Sequence, residues 1–224
     1  MKSFVINLII ILVLAGISIP LAINALQGSQ NSTYKIRSSA QSQSIMTFIF
    51  TSVKLHGIGS SGDNMNSDSS RSNKDPFRRN KNITVNIYNT SNNLQRSVQG
   101  TILYNESLGA YKGDIEIGSP LATGNYIIKI KVDSYLQRSL GTIRITSGTD
   151  PTMPQATLVA GDLNGDNVLN ITDLNILLGC YEDIFPASFC NQTRGTLADL
   201  SSDDQVNQLD YNLFLRELDV QHGD

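Results

Sequence analysis

One twelve-residue acidic segment occurs twice near the end of this 224-residue chain, and it constrains the fold more than any other feature. The first copy is Asp162-Leu-Asn-Gly-Asp-Asn-Val-Leu-Asn-Ile-Thr-Asp173, and the second is Asp199-Leu-Ser-Ser-Asp-Asp-Gln-Val-Asn-Gln-Leu-Asp210. Aligned, the copies place oxygen-bearing side chains at positions 1, 3, 5, 9 and 12. In the first these are Asp162, Asn164, Asp166, Asn170 and Asp173; in the second they are Asp199, Ser201, Asp203, Asn207 and Asp210. Position 8 is apolar in both, Leu169 and Val206. Each copy runs into a helical apolar stripe, Leu174, Leu177, Leu178 and Tyr181 after the first and Leu213, Phe214 and Leu218 after the second.

This spacing suits a hard cation. Calcium takes about six to eight oxygen ligands from one short loop, including a backbone carbonyl at position 7 and a carboxylate at position 12. The position-7 carbonyls here belong to Val168 and Gln205. Three carboxylates in one short loop repel one another unless a cation joins them, so metal binding becomes part of the folding free energy. A single loop of this kind also reads as an Asp/Asn-rich turn capping a helix. Two loops with the same pattern, each before a helix, favour two calcium ions. The position-8 residues are expected to pair with one another across the two loops.

Paired loops of this form, each followed by a Leu-rich helix, resemble the type I dockerin module over about residues 158–221. Gly161-Asp-Leu-Asn-Gly-Asp and Asn170-Ile-Thr-Asp-Leu-Asn-Ile-Leu resemble its first repeat, and Asp210-Tyr-Asn-Leu-Phe-Leu-Arg-Glu-Leu its second helix. The resemblance implies two calcium ions in loop–helix motifs without the first EF-hand helix, and docking onto a cohesin-bearing scaffold or surface protein. It also implies partner contacts at Ile171, Thr172, Gln208 and Leu209. The two pairs differ, which argues against interchangeable binding by the repeats. Position 6 departs from the family's Gly, being Asn167 and Asp204, two residue types that tolerate a left-handed backbone.

Charge is split along the chain. Residues 160–224 carry twelve Asp/Glu and two Lys/Arg, while residues 26–159 carry fourteen Lys/Arg and eight Asp/Glu. The acidic end repels phosphates, which excludes nucleic acid as its partner. With two His and two Cys, the chain holds neither a His-rich metal centre nor a Cys₄ zinc site. Cys180 and Cys190 are expected to form a disulfide in an exported chain. No Ser-His-Asp set, phosphate loop or zinc motif is present. Glu106 and Glu116 are the only pair resembling glycosidase carboxylates, and they lack an active-site framework. The chain therefore reads as a non-enzyme.

Ahead of the acidic segment the period changes to two. Alternating runs at Ile45–Leu55, Ile83–Tyr88, Thr101–Tyr104, Tyr111–Ile117, Tyr126–Val132 and Leu140–Ile145 predict a small antiparallel β-sandwich over residues 45–150. Val53 and Leu55 are read as continuing the period of Met46, Phe48 and Phe50. The stretch from Leu121 through Gly124-Asn-Tyr126 resembles the strand entry of prealbumin-like and other Ig-like surface modules, which implies a spacer or a carbohydrate- or protein-binding unit. Residues 57–81 form a long polar insertion. Asn64, Asn66, Asp68 and Asp75 match a calcium-loop count there, but Arg71 replaces the apolar position 8, and a loop is preferred. Arg71, Lys74, Arg78, Arg79 and Lys81 close the insertion and are expected to be solvated, or to meet an anionic glycan or an acidic partner.

At the N-terminus, Lys2 precedes a nearly uninterrupted apolar run from Phe4 to Ile23. Residues 1–26 read as a signal peptide or membrane anchor, the anchor being preferred because the run is long enough to span a bilayer. Residues 27–44 read as a polar stalk and 151–157 as a linker before the dockerin-like residues 158–224. The combined expectation is an extracytoplasmic, membrane-anchored or secreted protein. It joins a mainly β-sandwich domain to a small helical calcium module whose partner is a cohesin-like or other surface protein, or its own sandwich. The alternative is a non-catalytic component of polysaccharide breakdown that docks to a cohesin-bearing scaffold, with the sandwich meeting glycan.

Overall fold

The computed structural model describes residues 44–59, 74–182, 190–219 and 222–224. The apolar N-terminal run, the stalk up to residue 43, and Asn64, Asn66, Asp68 and Arg71 of the insertion lie outside the described residues. Among the described residues, no helix is long and apolar enough to cross a membrane.

The fold is mainly β with few helices. Among the described residues, ten strands are formed: β1 (Met46–Leu55), β2 (Asn80–Asn89), β3 (Leu94–Asn105), β4 (Ala110–Gly118), β5 (Gly124–Val132), β6 (Ser134–Tyr135), β7 (Arg138–Ile145), β8 (Thr152–Met153), β9 (Ala156–Leu158) and β10 (Ala160–Asp162). The helices are α1 (Ile171–Leu178), α2 (Gln192–Ala198) and α3 (Gln208–Glu217). The main sheet runs β7-β5-β2-β3-β4-β1-β8, with β9 also on β1, and a separate ribbon joins β10 to β6.

The twelve-residue β3 joins the two halves of the sheet. It pairs with β2 from Leu94 to Leu103, and only its last residues, Leu103, Tyr104 and Asn105, pair with β4. A Cβ on Gly100 would lie 2.6 Å from Ile115 Cδ1, so glycine lets β3 and β4 approach closely here. The buried residues of both halves share one core: Ile83, Val85 and Ile87 of β2 and Ile128 and Ile130 of β5 join Phe48 and Phe50 of β1 and Ile115 and Ile117 of β4.

The six alternating segments become strands, and two features differ from the sequence reading. β1 does not keep one period: its register shifts between Phe50 and Val53, a bulge that buries Ser52 and Val53 side by side. Residues 151–157 do not act as a free linker, because β8 and β9 pair in parallel with β1, Ile49 with Thr152 and Val53 with Ala156. The sheet is accordingly antiparallel except at that edge.

The hydrophobic core continues without a break into the helices through Leu158, Leu163, Leu169, Leu177, Leu200, Val206, Leu213 and Phe214. Tyr135, 1 % exposed, sits at the junction, where its single O–H lies between the carbonyl oxygens of His56 (3.4 Å) and Leu200 (3.5 Å). Gly57 (φ +89°) lies against Leu213 of α3, leaving no room for a Cβ.

Candidate functional site

The two acidic segments fold into loops with the same backbone path. Position 4 is left-handed in both, Gly165 (φ 80°) and Ser202 (φ 58°), as is position 6, Asn167 (φ 68°) and Asp204 (φ 71°). Position 9 caps the following helix in both. Asn170 Oδ1 accepts from Thr172 N–H at 2.7 Å ahead of α1, and Asn207 Oδ1 accepts from Leu209 N–H at 2.7 Å ahead of α3. Position 12 completes each capping box, Asp173 Oδ2 accepting from Asn170 N–H at 3.0 Å and Asp210 Oδ2 from Asn207 N–H at 2.9 Å. The other oxygen of each reaches back across the loop. Asp173 Oδ1 accepts from Leu163 N–H at 2.8 Å, and Asp210 Oδ1 from Ser201 N–H at 2.7 Å.

Position 1 is matched at Oδ2, whereas Oδ1 accepts from Asp203 N–H at 3.0 Å in the second loop and has no donor in the first. In the first loop, Asp162 Oδ2 accepts from Asn167 N–H at 3.0 Å and pairs with the Lys131 ammonium. In the second, Asp199 Oδ2 accepts from Asp204 N–H at 3.0 Å and pairs with the Arg78 guanidinium. Asp162 is placed by the β10–β6 ribbon, in which it pairs with Ser134.

Carboxylate oxygens of Asp199, Asp203 and Asp210 lie within 4.8 Å of one another, and all three residues are buried. Burial first, and then the neighbouring Asp199, pushes the Asp210 carboxyl up to about 7 against the N–H groups it accepts. Burial likewise raises Asp199, with Arg78 opposing it. Among the described residues, two buried side-chain oxygens have no hydrogen-bond partner, Ser201 Oγ at position 3 of the second loop and Asp162 Oδ1 at position 1 of the first. Buried oxygens without donors are expensive, and a cation is the partner that suits oxygens from several acidic residues at once.

The loops differ in exposure. Ser201, Ser202 and Asp203 are buried in the second, and Phe77 N–H donates to Ser202 O at 2.7 Å. In the first, Asn164 and Asp166 are exposed, and Asn164 Nδ2 donates to Asp166 Oδ2 at 2.8 Å. The backbone of the first loop also meets the C-terminal segment at Val168. Val168 bridges to His222, Gly223 N–H donates to Asn167 O at 3.1 Å, and Asn167 Oδ1 accepts from Gln137 N–H at 2.6 Å. The backbone of Val206 is likewise engaged elsewhere, its carbonyl accepting from Glu182 N–H at 3.0 Å. Leu169 and Val206 both enter the shared core, and the backbone bridge of each loop goes to another segment.

The remaining predicted residues are placed as follows. Cys180 and Cys190 form a disulfide with Cα atoms 4.7 Å apart. Ile171 (65 % exposed) and Thr172 open α1 at the surface, while Gln208 is exposed and Leu209 half-buried at the start of α3. Leu178, expected in the apolar stripe, is exposed, whereas Leu177 is fully buried and Leu174 and Tyr181 are partly buried against the core. Val168, Ile171, Leu174 and Leu218 border a shallow apolar groove floored by Phe214. Glu106 and Glu116 are both exposed, the former in the β3–β4 turn and paired with Arg79.

The basic end of the insertion is where the sequence reading missed the most. Arg78 and Arg79 are not simply solvated: Arg78 meets Asp199 and Asp204, and Arg79 meets Asp75 and Glu106. Burial lowers Lys81 to about 8, with nearby Asp199 pulling the other way. The charge split between the two halves of the chain was the available signal, since a basic middle and an acidic end attract.

No protein-family model matches this chain, and no curated protein matches it. Among solved structures it is similar to a chain of a type II cohesin–X–dockerin complex from Acetivibrio cellulolyticus, an N-terminal interface mutant, at 17 % identity and a TM-score of 0.46. A C-terminal interface mutant of the same complex gives 18 % identity and a TM-score of 0.45. Each match covers 77 % of this chain and 94 % of the other. At that identity and score, these likenesses carry no weight for function.

Proposed function

We propose that this chain is a non-catalytic, calcium-binding, dockerin-like interaction module seated on a β-sandwich, acting outside the cytoplasm. The observation that supports it most is the equivalence of the two loops: matched left-handed positions, matched capping boxes, and buried oxygens without hydrogen-bond donors in both. In the first loop the ligands are Asp162, Asn164, Asp166, the Val168 carbonyl, Asn170 and Asp173. In the second they are Asp199, Ser201, Asp203, the Gln205 carbonyl, Asn207 and Asp210. Two calcium ions would join carboxylates that otherwise repel one another and fix the starts of α1 and α3.

The surface left for a partner is the α1 face. In the second loop Ser201, Ser202 and Asp203 are buried, whereas Ile171, Thr172 and Leu178 are exposed. The partner we favour is a cohesin-like surface or scaffold protein, met through α1 alone. The Cys180–Cys190 disulfide suits an oxidising compartment.

The test is calorimetric titration of the purified full chain with calcium, followed by circular dichroism. Two bound ions are expected, with none bound tightly by the Asp162→Ala/Asp199→Ala double variant. Unchanged calcium affinity in that variant overturns the assignment.

A further inference from the structure

The position-1 aspartates share a feature that the loop motif does not contain. Each is paired from outside by one cation of the strand-rich part, Lys131 of β5 on Asp162 and Arg78, just ahead of β2, on Asp199. The two cations hold no equivalent place in the sequence. Both nevertheless reach the same atom, Oδ2, beside the same position-6 N–H donor. In the first loop this leaves Oδ1 without a partner. The carboxylates themselves are almost fully covered, Asp162 at 2 % and Asp199 at 3 % exposure.

Resting on the calcium reading above, we propose that Lys131 and Arg78 are built-in counter-cations of the two loops. They are positioning residues that keep each loop folded and seated on the strands without metal, and they weaken its calcium affinity. A buried carboxylate without a counter-charge is strongly unfavourable, so each cation supports the metal-free loop. A calcium ion on Oδ1 would face that cation across one carboxylate, and the like charges repel. The position-6 N–H continues to hold Oδ2 when the cation is removed, so orientation is not lost with the charge.

The experiment compares the full chain with Lys131→Met and Arg78→Met, which keep an apolar stem and remove the charge. Melting temperature is measured in chelator and in calcium, and calcium affinity by calorimetry. Each variant is expected to melt lower in chelator and to bind calcium at one site about tenfold more tightly, the order set by removing one charge a few ångströms away. Lys131→Arg should keep wild-type values in both measurements. Should a Met variant fail to fold, Lys131→Gln and Arg78→Gln give the same comparison. A wild type that binds calcium, with variants of equal or weaker affinity, overturns this inference alone. A wild type that binds none overturns the calcium reading and this inference together.

Discussion

His56 and Glu217 lie 161 residues apart in sequence, yet His56 Nδ1 and Glu217 Oε2 are 2.9 Å apart. His56 follows β1 and Glu217 closes α3, so this contact fixes the end of the last helix to the sheet. Burial would raise the Glu217 carboxyl, but His56 and then Arg216 outweigh it and hold it below its ordinary value. A carboxylate lowered in the folded state contributes stability above its unfolded pKa, and that contribution is lost as pH falls towards the folded value. Glu217→Gln should therefore lower the melting temperature at neutral pH. The gap from wild type should close in acid below the usual glutamate range; a gap constant with pH would contradict this.

The Cys180–Cys190 disulfide spans a sequence separation of 10 residues between α1 and α2. The chain-entropy model gives such a short loop about 3 kcal/mol of stabilisation. The Cys180→Ala/Cys190→Ala variant should show a loss of this order in denaturant unfolding. A loss under about 1 kcal/mol would mean that core contacts of α1 already fix the segment.

Gly57 combines a left-handed backbone with a position where a Cβ would overlap Leu213 Cδ2, and Leu213 is fully buried. Gly57→Ala should cost about 2 kcal/mol from backbone strain and overpacking together. Urea unfolding measures this, and a change within error would show that α3 can shift away from the strands.

Ile171 is 65 % exposed at the first position of α1, so Ile171→Asp should change stability by no more than about 0.5 kcal/mol. An acidic residue there also suits the helix dipole. Calcium binding should be unchanged, while affinity for a cohesin panel, measured by surface plasmon resonance, should fall at least about tenfold. A cohesin bound equally well by wild type and variant would move the contact off α1.

Much of this was legible in the residues. Alternation located β1, β2, β4, β5 and β7, because one face of each strand fills the core. The loops were legible because the same oxygen spacing appears twice. The polar half of β3 was not: Leu94 to Gly100 pairs fully with β2, yet none of its side chains is buried, so it carries no apolar pattern. α2 was missed for a related reason, since Gln192–Ala198 buries only Ala198. The bulge in β1 was readable as a broken period at Ser52 and was passed over. Arg78 and Lys131 could not be matched to their aspartates from sequence, because tertiary packing alone brings them together.

The position of β1 also governs the order in which the chain can fold. It is flanked by β4 and by β8 and β9, so its neighbours are made long after it. The β2–β3 hairpin, closed through Asn89 and Asn93, can form as soon as it is synthesised. Phe48, Phe50 and Leu55 have no complete cover until Leu158 has emerged, and such distant pairing slows folding. The strand that completes this cover lies just ahead of Asp162. During synthesis, the sheet edge therefore closes immediately before the first acidic loop appears.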